Sequence, residues 1–153
     1  MGGKRILVTR AALAENEGAA WNAFIELIAS TDSCDLASSQ LPAQQAFFYE
    51  LEVQNGGHLQ FFANLGSECA REAVSSLRLI GADAQARILE EASADWQAVP
   101  RSAPTNAETY VDEALMAEFE GADRRFHECR PSLLAILQRY FSAHEDQFIL
   151  RES

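Results

Sequence analysis

Apolar residues recur along this chain at helical spacing, and alternation of period two is nowhere sustained. Trp21, Phe24, Ile25 and Ile28 fall at i, i+3, i+4, i+7, which predicts an amphipathic helix ending near Ala29. Ser30-Thr31-Asp32-Ser33 reads as a loop. Pro42 suits the first turn of the next helix, which should run to Asn55 and stop at Gly56-Gly57. Phe47, Phe48, Tyr49, Leu51 and Val53 cover most of its faces, so it should be central and largely buried. A short helix with Leu59, Phe61, Phe62 and Leu65 should end at Gly66.

Ala70, Val74, Leu77 and Ile80 form the next stripe, with Gly81 as a left-handed cap. Ile88, Leu89, Ala92 and Trp96 form another. Residues 99–105, with Pro100 and Pro104, read as the one sizeable linker. Tyr110, Leu115 and Phe119 predict a helix ending at Gly121, then a turn through Phe126. Pro131 should open a last helix carrying Leu133, Leu134, Leu137, Tyr140 and Phe141. The expectation is a single all-α domain of about six to eight helices over residues 1–153.

Composition fits that picture. A chain of 153 residues with 48% hydrophobic positions can bury a proper core without disulfides or metals. No apolar run approaches the ~20 residues that span a bilayer, and the basic start lacks a signal-peptide core, so a cytoplasmic location is expected. Cys34, Cys69 and Cys129 form no C-x-x-C and read as reduced, mostly buried thiols.

The net charge of −11 changes the picture more, because it is uneven. Lys4, Arg5 and Arg10 make the start basic, after which no Lys or Arg occurs before Arg71. That base-free stretch carries Glu15, Glu17, Glu26, Asp32, Asp35, Glu50, Glu52 and Glu68. A second base-free stretch, 102–123, carries Glu108, Asp112, Glu113, Glu118, Glu120 and Asp123. Direct binding to nucleic acid or an anionic membrane is disfavoured, since such surfaces need cations, and a basic protein partner is favoured.

Signatures of catalysis are missing. There is no glycine-rich phosphate loop, G-x-S-x-G elbow or H-E-x-x-H, and no Glu stands three residues before His58, His127 or His144. His127 and Cys129 offer two metal ligands, which do not make a site. No cofactor, metal or enzymatic activity is expected.

The most distinctive text runs from Tyr49 to Asn64. Asn55-Gly56-Gly57 provides a helix stop with positive φ available at both glycines. Glu52, Gln60 and Asn64 can then bond loose backbone groups at the junction, while Phe61 and Phe62 anchor the turn. On this reading the block fixes the angle between two helices. A ligand-binding or enzymatic centre built on Glu52, Asn55, Gln60 and Asn64 is the alternative.

The E-V-x-N-G-G-x-x-Q-F-F-x-N core within Leu41–Gly66 resembles the helical domain of the DNA-mimic-protein family. Ala73-Val74 through Ile80-Gly81-Ala82, Asp123-Arg124-Arg125-Phe126 and the final aromatic helix extend the resemblance over about residues 20–149. His58 and Leu59 depart from it, standing where an aromatic and then a variable polar residue are usual. The resemblance implies an all-α, dimeric protein without enzyme activity, whose acidic surface occupies the DNA-binding site of a repressor. Carboxylates at i, i+4 lie about 6 Å apart, compatible with phosphate spacing along a DNA strand. Glu108 with Asp112, Glu113 with Glu120, and Glu15, Glu17, Glu26, Asp32, Asp35 and Asp123 are therefore the candidate partner-binding residues. A helix-turn-helix type DNA-binding protein is the favoured basic partner. An immunity-type or antitoxin-type inhibitor of a basic nuclease or toxin is the second reading.

Overall fold

A computed structural model describes residues 3–98 and 119–153. The fold is all-α, with one small addition at the chain ends. Helix α1 (Arg10–Glu15) is capped by Thr9, whose hydroxyl accepts from the Ala12 amide at 3.0 Å. Helix α2 (Ala19–Ser30) follows, then a 3-10 turn at Ser33–Asp35. Helix α3 (Leu41–Leu79) is long and twice broken, α4 spans Asp83–Ala98, residues 119–128 form α5, and α6 spans Leu133–Ala143.

Three expectations needed revision. Strands β1 (Ile6–Val8) and β2 (Ile149–Arg151) pair in parallel, with Leu7 opposite Leu150. Three residues per strand are too few for alternation to register in the sequence. Gly121 does not end a helix: α5 continues through Phe126, because a glycine with negative φ is merely a weak helix former. Pro131 lies before α6, whose cap is Ser132, accepting from the Ala135 amide at 3.2 Å. Ile136 takes the core place in that helix, while Leu134 is exposed. The linker at 99–105, Tyr110 and Leu115 lie outside the described residues.

Two aromatic clusters make the core. Around α2, Phe24 stacks on Phe141 at 4.6 Å and meets Phe148 edge-on at 4.8 Å, with Trp21 alongside. Complete burial of a ring such as Phe24 contributes about 1.5–3 kcal/mol. Around the middle of α3, Tyr49, Phe61, Phe62, Trp96, Phe119 and Phe126 pack together, joining α3, α4 and α5. Helix α3 is central as expected, although its Leu51 faces solvent.

Buried glutamines tie these parts together. Gln44 donates to the Ile28 and Thr31 carbonyls, satisfying the C-terminal end of α2 from within α3. Gln40, fully buried, donates at 2.8 Å to both the Lys4 and Gln147 carbonyls and accepts from the Ala37 amide. It thus clamps both chain ends to the start of α3. Replacing it by leucine leaves those backbone groups unpaired, and Gln40→Leu should cost about 1–3 kcal/mol in denaturant unfolding. Amide exchange at Ile6 and Leu150 should accelerate first, and unchanged protection there would contradict the clamp.

Candidate functional site

The Asn-Gly-Gly block behaves as a hinge between helical sections. Gly56 leaves the helical region (φ −156°, ψ 16°), and Gly57 alone of the pair has positive φ (φ 76°, ψ −175°). That conformation is essentially open only to glycine. Gly66 repeats it (φ 81°, ψ 178°), and Gly81 closes α3 with φ 92°. Helix α3 therefore consists of three sections, Leu41–Asn55, 58–65 and 67–79.

The polar residues of the block bond to one another rather than to loose backbone, contrary to expectation. Glu52 accepts from Gln60 Nε2 and from Asn64 Nδ2, both at 2.9 Å, bridging the first two sections. Asn55 is exposed, and Phe61 and Phe62 are buried as expected.

The backbone at the break is instead satisfied by Asp123 of α5. Its Oδ1 accepts from the His58 amide at 2.9 Å and from His58 Nδ1 at 2.7 Å. His58 Nε2 in turn meets the Tyr49 hydroxyl at 2.6 Å. Burial pushes the Asp123 carboxyl up, but the two hydrogen bonds from His58 outweigh it and hold the pKa below the usual aspartate value. Burial first, then neighbouring negative charge, keeps the Tyr49 phenol protonated far above its ordinary range. Tyr49 O–H therefore donates to Nε2, and Nδ1–H donates to Asp123. Tyr49 and His58 are both sealed from solvent, so this Tyr-His-Asp series joins helices rather than presenting a reactive group. The sequence reading gave His58 as a departure from the family pattern, and took Asp123 as a surface acid open to a partner. The signal it missed was the pairing of a histidine at the aromatic position after Gly-Gly with an aspartate 65 residues later.

Among the other acids of the block, Glu50 is buried beside Tyr49 and bonded to Gln54 through one oxygen, the other having no partner. Burial raises its pKa.

The candidate partner-binding residues divide into three groups. Glu15 at the end of α1, Glu17, Glu26 on α2, and Asp32 and Asp35 on the following turn are all exposed. Only Glu26 lies on α2, whose 12 residues span about 18 Å, while Glu15 and Glu17 precede its start and Asp32 and Asp35 follow its end. Glu15 and Glu26 line one groove with β1, which brings the basic start of the chain to the same region. Asp32 also caps its turn, and bonds from the Cys34 thiol and amide lower its pKa. Glu120 is exposed on α5, which packs on the middle of α3, whereas α2 packs near Gln44. Glu108, Asp112 and Glu113 lie outside the described residues.

No cation among the described residues pairs with the exposed candidates. Among the described residues Arg78 pairs with Glu90, Arg125 with Glu91 and Arg151 with Glu145, none of them a candidate. Of the candidates with a described position, Asp123 alone is bonded to a histidine, and that bond is to the His58 ring that accepts from Tyr49. Two thiol expectations fail: Cys34 and Cys69 are exposed, and Cys129 is half-buried. Among the described residues no three His, Cys, Asp or Glu side chains come together as a metal site, and no helix is long and apolar enough to cross a membrane.

This helical frame, bent at paired glycines and locked by a carboxylate, defines a class of all-α domain. The DMP19-like protein family matches residues 35–144, and the chain belongs to that family, one of DNA-mimic proteins. Comparison with curated proteins and with solved structures yielded no match.

The hinge gives a paired test. The Asp123 carboxylate occupies the space that a Cβ on Gly57 would need, whereas nothing lies within 4 Å of one on Gly66. Both glycines share one backbone conformation, so Gly66→Ala should cost the backbone strain of about 1–3 kcal/mol alone. Gly57→Ala should cost more by about 1–3 kcal/mol, the price of displacing Asp123 from the buried His58. Equal losses in thermal unfolding would show that Asp123 contributes nothing to the break.

Proposed function

We propose that this protein acts without catalysis as an acidic protein-binding module, mimicking DNA toward a basic DNA-binding protein of helix-turn-helix type. The observation that carries this reading is the set of exposed carboxylates on α1, on α2 and on the flanking turns, with no cation among the described residues paired to any of them. Arginine and lysine side chains that otherwise meet phosphates would find acceptors there. Membership of the DMP19-like protein family supports the same direction. The Asn-Gly-Gly block supports it differently: Glu52, Gln60, Asn64 and Asp123 are engaged in internal bonds, which leaves the α2 region to face a partner.

A cytoplasmic homodimer belongs to the same proposal. Leu7 and Leu150, 58% and 43% exposed, stand side by side across β1 and β2 and offer it an apolar patch. A monomeric mass in light scattering would remove that part.

The test is a pull-down from cell extract with the full chain as bait. A DNA-binding protein should be recovered, released progressively as salt rises and displaced by duplex DNA. Recovery of a nuclease or toxin would replace mimicry by the inhibitor reading. Retention insensitive to salt would overturn both.

A further inference from the structure

The bends that hold α3 together also create a pocket that the acidic-surface reading does not use. Gln45 and Phe48 from the first section, Phe61 and Leu65 from the second, and Cys69, Glu72 and Ala73 from the third line one cavity. Its volume is about 230 Å³. That is far more than the ~30 Å³ share of one water and less than the ~300–1,000 Å³ of sites for whole small ligands. One long side chain is the appropriate scale.

The chemistry of the walls is specific. Phe48 is half-buried, and with Phe61, Leu65 and Ala73 it supplies an apolar floor. Glu72 is an exposed carboxylate, held by a 3.1 Å bond from Gln45 Nε2 to its Oε2, while Gln45 itself accepts from Ser76. Oε1 of Glu72 has no partner among the described residues, and no cation pairs with either oxygen. The adjacent Arg71 lines a different groove, with Arg78 and Glu90. A fixed carboxylate at the mouth of an aromatic, aliphatic recess fits a guanidinium on a methylene stem. The planar head can stack on a ring and bond a carboxylate, and it sheds water more readily than an ammonium.

We propose that this pocket seats one arginine side chain of the basic partner, with its methylenes against Phe48 and Leu65 and its guanidinium on Glu72. The inference rests on the acidic-module reading and adds to it a single anchoring position. A buried anchor ringed by weaker charge contacts is how most protein interfaces distribute their binding energy.

Cys69 provides the readout. In a Cys34→Ser, Cys129→Ser background it is the one remaining thiol. It reacts with neutral methyl methanethiosulfonate to form a mixed disulfide with loss of methanesulfinate. The full chain is treated with this reagent at constant ionic strength, with rising N-acetyl-arginine amide or its neutral isostere, N-acetyl-citrulline amide. The arginine derivative should slow modification saturably, by about threefold at twice its Kd. The citrulline derivative should not, and Glu72→Gln should abolish the protection while leaving the unfolding temperature unchanged. Absence of protection up to about 0.1 M, or equal protection by both compounds, would overturn the pocket assignment. A basic partner recovered without arginine protection removes only the pocket, whereas arginine protection without any basic partner removes only the module reading.

Discussion

One contact governs this architecture: the carboxylate of Asp123 lying against Gly57 and bonded to both nitrogen donors that His58 presents. A break in the middle of a 39-residue helix exposes amides that a buried position cannot leave unpaired. Asp123 supplies the acceptor, and the absent side chain at residue 57 supplies the room. Because Asp123 belongs to α5, the same contact docks that helix onto α3. Phe119 and Phe126, one turn before and after it, then enter the aromatic cluster around Tyr49 and Phe62. The low pKa of Asp123 means that this stabilisation is present above the ordinary aspartate range and is lost as pH falls through the folded-state value.

The Tyr49–His58–Asp123 series resembles the charge-assisted chains found in active sites, yet its burial assigns it another role. A phenol held protonated and sealed from solvent has neither a substrate nor a proton to exchange with one. Glu50 beside it is a cost of the same crowding, since a carboxyl with one unpaired buried oxygen is destabilised when ionised. In the proposed reading function lies at the surface, where the exposed carboxylates before, on and after α2 pair with no cation among the described residues.

Much of the helical order was legible because the residues that end helices are local. Pro42, Gly56-Gly57, Gly66 and Gly81 all mark real boundaries or breaks. The failures share a physical cause, which is that the deciding partner is distant in sequence. Gly121 looked like a stop, but α5 is held by packing on α3 through Phe119 and Phe126. β1 exists only because β2, at the other end of the chain, lies beside it under the Gln40 clamp. Asp123 looked like one more surface acid until the fold placed His58 against it. Glu52, Gln60 and Asn64 of the motif bond to one another, and the acid that satisfies its break lies outside it.

In the proposed reading fold and recognition rest on different carboxylates, and one comparison addresses that separation directly. A variant with Glu15→Gln, Glu26→Gln, Asp32→Asn and Asp35→Asn is set beside Asp123→Asn, and each is measured for thermal unfolding and for binding to the captured partner. The multiple variant should keep nearly all of its thermal stability and lose most of its low-salt binding. Asp123→Asn should unfold at a clearly lower temperature and, while folded, bind as the unaltered protein does. Full binding by the multiple variant, or loss of binding by a still-folded Asp123→Asn protein, would contradict the account.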